Sequence, residues 1–442
     1  MVREKKLPRP GSKHLHNHRS IWRKLSETRI LIFVTIAIVG GIYGVFSAVA
    51  APVACTAMCA IAPTPPMGWN GYNHFGTSVT GATVKRETQA LVSSGMAAAG
   101  YTYVNLDGGW DMLQRNSKGQ LVANPAKFPD GIKALANYVH SKGLKFGIYT
   151  SAGRTNCAGT SAGSYGHYQQ DAKTFASWGV DYLKFDYCNV PGTTTRGTIP
   201  DSIAEGDAQR MARALKATGR PIFFDVNDAN VNNGNDHNHD WQWAPKFANM
   251  WRVTHDISAS YTQMVRHILG VQGLPSNESY DLALHGYAKP GGWNDPDMLE
   301  VGNGTMSTTV SRAEFSLWAE EAAPLIAGND LASMSTATKQ ILTNSEVIAI
   351  DQDPLGEQGH LVSRSSGHWI LAKPLLGGSD AVLLFNNTST SAVIRTTTTQ
   401  IGLKSRPSYI LRNVWTHTSS KTKGTVAAVV PSHGVVMYKV EL

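Results

Sequence analysis

Two aspartates stand where acid–base chemistry can be done. Asp186 closes the run Leu183-Lys184-Phe185-Asp186, and Asp256 closes Arg252-Val253-Thr254-His255-Asp256. Each is expected at the C-terminal end of a strand, and each has a cation close by. Lys184 precedes Asp186 by two residues, which puts both side chains on one strand face. Arg252 precedes Asp256 by four. An ammonium beside a carboxyl favours the ionised form, which suits Asp186 to nucleophilic attack. Asp256 must then hold a proton near neutral pH, promoted by burial and by the other carboxylate. Two carboxylates of opposed protonation are the minimum apparatus for breaking a glycosidic bond. The competing reading is that both aspartates only cap the helices after them.

Aromatic residues near other strand ends (Trp69, Tyr72, Trp110, Tyr149, Trp251, Trp293) offer flat faces on which a sugar could stack; for Trp69 and Trp251 a place in the core is the stronger expectation. A rival chemistry is a carboxylate-held cation at Asp107, Asp186 and Asp297. His237, His239 and Asp240 follow Asp236 in a loop and resemble ligands, but further ligands at zinc-site spacing are missing and an ordered surface loop is expected.

The elements that must position these groups alternate. Strands are expected at 67–72, 103–106, 145–149, 182–185, 221–224, 250–253, 291–293 and 325–327. Helices are expected between them at 83–99, 131–141, 169–178, 203–217, 261–269 and 312–321. Eight strand–helix units predict a (β/α)8 TIM barrel over 63–355, whose strand C-terminal ends face the active site. A doubly wound sheet is the alternative, but no glycine-rich phosphate loop opens a first helix. Over 356–442 the pattern turns to short alternating runs at 369–372, 381–385, 408–413 and 434–440, which predicts a C-terminal antiparallel β-sandwich.

Composition narrows the class. With 442 residues, 42% hydrophobic and 16% charged, the chain can bury large cores and is not disordered. Its net charge is +8, but nine Lys and Arg against Glu4 and Glu27 in residues 1–29 supply seven of those charges. The body is almost neutral, so a nucleic-acid partner is not expected. Residues 30–54 are apolar and uncharged, which predicts a signal peptide or a membrane anchor behind a basic arm, and hence export. Of four cysteines, Cys55 and Cys59 sit at the leader boundary, and export makes a disulfide open to Cys157 and Cys188. Sequons stand at Asn277, Asn303 and Asn386.

Long motifs carry a resemblance. They are Pro66-Met67-Gly68-Trp69-Asn70, Leu106-Asp107-Gly108-Gly109-Trp110, the run from Phe128 to Lys145, and Leu183 to Cys188. Trp251-Arg252 with Asp256-Ile257, the run from Gly291 to Leu299, and the run from Val347 to Gly356 complete the set. Over residues 65–359 the chain resembles glycoside hydrolase family 27, the melibiase or α-galactosidase family. The resemblance implies a retaining α-glycosidase, with Asp186 as nucleophile and Asp256 as acid/base. It implies that Lys184 and Arg252 hold sugar hydroxyls, that Tyr149 lines the same pocket, and that Asp297 and Met298 form its strand-seven rim. It implies a Cys157–Cys188 disulfide beside the site, a carbohydrate substrate, and no cofactor.

Three positions depart from the family pattern. Gly108 stands where a second aspartate follows Asp107, Tyr72 replaces a tryptophan, and the strand-five acid gives way to Asp225-Val226-Asn227. A pocket that lacks a partner for a hydroxyl discriminates weakly. Galactose therefore competes with isomaltodextranase-like and β-L-arabinopyranosidase-like specificities. A silent carbohydrate-binding barrel is the alternative of another class, against which the retained pair of acids argues.

Overall fold

The computed structural model describes residues 57–191, 199–227, 239–271 and 284–441. The basic arm, the apolar run at 30–54, Cys55, Asn277 and His237 lie outside the described residues. Among the described residues no helix is long and apolar enough to cross a membrane.

Eight short strands form a parallel sheet: β1 (Met67–Asn70), β2 (Tyr103–Leu106), β3 (Lys145–Ser151), β4 (Tyr182–Asp186), β5 (Phe223–Asn227), β6 (Met250–Arg252), β7 (Trp293–Asp295) and β8 (Leu325–Ala327). Their order is 7-6-5-4-3-2-1-8. The ring closes through Leu299, which bridges to Ala327 and donates its N–H to the Ile326 carbonyl at 2.8 Å. The crossovers carry α1 (Gly81–Ser93), α2 (Gly131–Ser141), α3 (Tyr168–Trp178), α4 (Asp201–Ala217), α5 (Tyr261–Val271) and α6 (Thr308–Glu320). After β8 come α7 (Thr336–Leu342) and α8 (Ser345–Asp351). This is the expected TIM barrel.

Local signals explain most element ends. Thr80 caps α1 by accepting the Thr83 N–H, and Ser307 caps α6 through Val310. α1 stops at Ser93 rather than at 99, because the chain turns at Gly95, whose φ is 90°. Strands β5 and β7 begin two residues later than their apolar runs suggest and extend into polar residues. The barrel interior accepts those polar residues because each is hydrogen-bonded or paired there.

The period of two along the strands sets which side chains point inward. Tyr103, Tyr182, Phe223, Met250 and Trp293 pack together as a plug at the strand starts. The rings of Tyr182 and Phe223 stack at 4.9 Å. Two residues on, at the same parity, come Asn105, Lys184, Asp225, Arg252 and Asp295; two further, Asp107, Asp186, Asn227 and Asp297. Gly147 belongs to this inner face. A Cβ there would lie 1.9 Å from the Asn105 amide oxygen, so no other residue fits beside it.

The C-terminal region is antiparallel. β9 (His360–Ser365), β10 (His368–Pro374), β11 (Asp380–Asn386), β13 (Tyr409–Asn413), β14 (Thr418–Thr422) and β16 (Gly434–Glu441) form one sheet in the order 14-13-16-11-10-9. β12 (Ala392–Thr397) and β15 (Thr425–Val430) form a second sheet of two strands. The central strands β10 and β11 of the large sheet are buried on both faces, as a sandwich with a neighbour requires. Trp369, Leu371, Leu383 and Phe385 join the barrel's core, while Ile370, Val382 and Leu384 pack toward Ile394 and Val426 of the small sheet. The runs β9, β12, β14 and β15 were not expected as strands: β14 is Thr-Ser-Ser-Lys-Thr, and none of the other three keeps a clean apolar–polar alternation along its length.

Candidate active site

All ten expected site residues line one cavity of about 260 Å³ at the C-terminal ends of the barrel strands: Tyr72, Asp107, Tyr149, Lys184, Asp186, Asn227, Arg252, Asp256, Asp297 and Met298. Asn73, Gly108, Asn156, Cys157, Ala158 and Ile257 complete the wall.

Asp186 is the last residue of β4 and is not a helix cap. Its Oδ2 accepts the Tyr149 hydroxyl at 3.0 Å, and its Oδ1 accepts the Tyr187 N–H at 2.9 Å. These two donors fix the carboxylate plane. Asp256 lies four residues past β6 rather than at its end, and Arg252 Nη1 donates to its Oδ1 at 3.0 Å. The Arg252 guanidinium is buried and shared: Nη2 reaches Asp297 at 2.9 Å and Nε reaches Asp295 at 3.3 Å. Asp297 also accepts the N–H groups of Ile257 and Met298, both at 2.7 Å. It occupies a left-handed backbone position (φ 81°), which directs both oxygens into this network.

The second cation, Lys184, donates to Asp107 Oδ2 at 2.8 Å. Asn70 donates to the same oxygen at 2.7 Å and accepts the Tyr72 N–H at 3.1 Å, so one amide ties both residues into the wall. The Asn227 amide stands between two donors, Arg252 Nη2 and Lys184 Nζ, and its oxygen would accept from them at 3.2 and 3.3 Å when turned to face them. Sequence reasoning missed Asn70, Asn73, Asn156 and Asp295. The parity rule flags Asp295, two residues after Trp293; Asn70 stands inside a quoted motif.

Charge at the cavity is unbalanced. Asp107, Asp186, Asp256 and Asp297 line it, Asp225 and Asp295 lie beneath, and among the described residues only Lys184 and Arg252 oppose them. Some of these carboxyls must hold protons. Burial, then the neighbouring Asp295, pushes Asp225 up to about 8. Burial pushes Asp186 up to about 6, against the pull of Lys184 and with the push of Asp256. Desolvation by the cavity walls also acts to raise Asp256, whose side chain is 71% exposed in the open mouth, but Arg252 and Lys184 outweigh it and hold Asp256 below its ordinary value. These directions are opposite to the expected ones: Asp256 is lowered and Asp186 is raised. Lys184 does favour its ionisation, but the burial of Asp186 is the larger effect.

Trp69 and Trp251 are buried in the core as expected, while Trp110 and Trp293, expected among the sugar-facing aromatics, are fully buried as well; each indole N–H is bonded within the protein, Trp69 to Asn329, Trp110 to Tyr149, Trp251 to Asn294 and Trp293 to Ala62. None can stack on a sugar; Tyr72, 39% exposed, can. Asp107 and Asp297 are each paired to a cation, so the Asp107–Asp186–Asp297 set does not offer a free triad to a metal. His239 pairs with Asp201. Cys157 and Cys188 form a disulfide, and the Cys157 sulfur lies 3.4 Å from Asp186 Oδ2. The sequon residues Asn303 and Asn386 are buried with their amide nitrogens donating to Glu300 and Gly328, and to Thr390 and Val430, so neither is open to a glycan.

Similarity to known proteins agrees with this geometry. Residues 64–353 match the family described as Alpha galactosidase A, and 365–440 match the Alpha galactosidase C-terminal beta sandwich domain. The chain is 43% identical over 380 residues to an alpha-galactosidase of Cyamopsis tetragonoloba, covering 85% of each chain. It is 44% identical over 375 residues to an alpha-galactosidase of Oryza sativa, covering 85% of this chain and 84% of the relative. Among solved structures, alpha-galactosidase I from Mortierella vinacea superposes with a TM-score of 0.77 at 31% identity, covering 86% of this chain and 97% of that one.

Proposed function

Because the chain belongs to the α-galactosidase A family of glycoside hydrolases, we propose that it is an exported, retaining α-galactosidase that removes terminal α-galactosyl residues one at a time. The observation that carries this reading is the convergence of Asp186 and Asp256 in one small cavity with Lys184 and Arg252 between their partners. At about 260 Å³ the cavity is below the roughly 300–1,000 Å³ usual for drug-sized ligands. That suits one sugar ring and exo action.

The reaction needs one proton on the pair. Asp256, protonated, gives its proton to the glycosidic oxygen while Asp186 attacks the anomeric carbon and forms a glycosyl ester. Asp256 then takes a proton from water, which displaces Asp186 with net retention. The Tyr149 hydroxyl and the Tyr187 N–H hold Asp186 on line. Lys184 with Asp107, and Arg252 with Asn227, face the ring hydroxyls from two sides. The protein's own cations do the electrostatic work, so EDTA is expected to leave turnover unchanged; loss of activity that a divalent cation restores would favour the metal-hydrolase reading.

A second reading, a different sugar on the same machinery, has two observations behind it: Gly108 carries no carboxylate, and strand five meets the cavity at Asn227 and not at an acid. Hydrolysis of nitrophenyl α-galactoside, β-L-arabinopyranoside and α-glucoside, with Asp186→Ala as control, tests both. Preference for the α-galactoside supports the proposal. Preference for another glycoside would retire the galactosidase label while leaving the mechanism. Equal inertness of wild type and control would point to a silent binder.

Export is supported by the apolar run at 30–54 behind a basic arm, and by the Cys157–Cys188 disulfide, which suits an oxidising compartment. N-terminal sequencing of the protein from culture medium and from membranes separates a cleaved signal from an anchor.

A further inference from the structure

The mechanism leaves one buried histidine unused. His267 lies on α5 at 1% exposure, behind the segment that carries Asp256. Both ring nitrogens face backbone carbonyls: Nδ1 is 2.6 Å from Gln263 O and Nε2 is 2.7 Å from His255 O. His255 is the residue immediately before Asp256. Its carbonyl therefore links the acid/base segment to the helix behind it through one imidazole.

Burial pushes His267 down to about 4, the two carbonyls pull it up, and Arg252 and His255 push it further down. The charged or titratable groups facing it are Arg252 from β6 and His255 and Asp256 from the segment after β6. A neutral imidazole has one N–H to place. The Gln263 carbonyl is one turn back in the same helix and already accepts an i→i+4 amide. An N–H on Nε2, 2.7 Å from the His255 carbonyl, joins two separate elements, whereas one on Nδ1 stays within its own helix. We propose that His267 is the positioning residue of the acid/base, and that its Nε2–H, donated to the His255 carbonyl, clamps the Asp256 segment against α5. The exposed Asp256 carboxyl has Arg252 on one side. The clamp fixes its backbone so that the proton is aimed at the leaving oxygen.

This inference rests on Asp256 being the acid/base. General-acid help matters most when the leaving group is a poor one. Kinetics should therefore be compared on an α-galactosyl disaccharide (poor leaving group) and on dinitrophenyl α-galactoside (good leaving group), with wild type, His267→Phe, His267→Gln and Asp256→Ala. The expected result is that His267→Phe loses about tenfold or more in kcat/KM on the disaccharide, with little change in kcat/KM on the dinitrophenyl substrate, because kcat/KM reports the bond-breaking step and not the later hydrolysis that Asp256 also assists. The glutamine amide, which can still donate, should restore part of the loss. Equal losses on both substrates would overturn the proposal, since a purely structural role affects both alike. If Asp256→Ala itself shows no dependence on the leaving group, the acid/base assignment fails and the His267 role falls with it. A measurement on the unaltered protein does not depend on any variant folding: the ¹⁵N shifts of labelled histidine should show His267 protonated at Nε2. Protonation at Nδ1 alone would overturn the clamp.

Discussion

Asp186 and Asp256 share one proton across most of the acidic range, and their environments push the two pKa values apart. Asp186 is raised to about 6 and Asp256 is lowered. Interacting carboxyls titrate as a pair, and the one-proton form is the active one. It forms as pH rises through the lower value, below 3.8, and is lost as pH rises through about 6. The kcat/KM profile is therefore expected to peak on the acid side and to fall about tenfold per pH unit above that limb; an optimum above pH 7 would contradict it. Gly108 gives a second test. A Cβ there would sit 3.4 Å from the Tyr149 ring, an ordinary contact, so Gly108→Asp should fold and place a second acceptor beside Asp107. The preference for α-galactoside over α-glucoside should then rise, by about 10-fold for one new hydroxyl contact worth ~1.4 kcal/mol. An unchanged ratio would mean that Asp107 and Lys184 already complete the reading of that hydroxyl.

Among the elements, the loop after β3 and the turn after β2 enclose the cavity, and each carries its own constraint. The turn holds Asp111, a buried carboxyl whose Oδ2 has no partner and which burial pushes up to about 7. Its folded value lies above its unfolded one, so the folded state binds the proton more tightly. That contribution is full below pH 3.8 and lost as pH rises through about 7. Asp111→Asn should flatten the fall in Tm between pH 5 and 8, recovering on the order of 2–4 kcal/mol at pH 8. Equal slopes for wild type and variant would refute it. The strands were legible because their apolar starts are short and periodic: β2 and β8 have the expected bounds, and β3, β4 and β5 run past theirs into the polar residues of the site. The site's pairings were less legible. Hydrogen bonds such as Asn70 to Asp107 join residues 37 positions apart, and only the parallel pairing of β1 with β2 brings them together. The same holds for the proton order, because the depth at which Asp186 is buried is set by packing and not by its neighbours in sequence.

The whole molecule is tied together by a shared core. Trp369, Leu371, Leu383 and Phe385 of the sandwich pack into the same cluster as Phe315 and Trp318 of α6. Lys373 is buried at this junction and donates to the Ala319 carbonyl at 2.8 Å. Barrel and sandwich should therefore unfold together. Phe385→Ala, which empties part of that junction, is expected to cost about 3–5 kcal/mol and to lower a single transition for both; two separated transitions in calorimetry would show that the sandwich folds on its own. The near-neutral body, with seven of the eight net positive charges in residues 1–29, leaves the cavity's own carboxylates and cations as the local field that a neutral sugar meets. What the molecule does rests on Asp186 attacking the sugar directly. The most direct measurement is the anomeric proton spectrum of the first sugar released from nitrophenyl α-galactoside, followed by NMR before mutarotation. The account predicts α-galactose first, growing into the β form afterwards. β-Galactose as the first product would contradict it, because water and not Asp186 would then have displaced the leaving group.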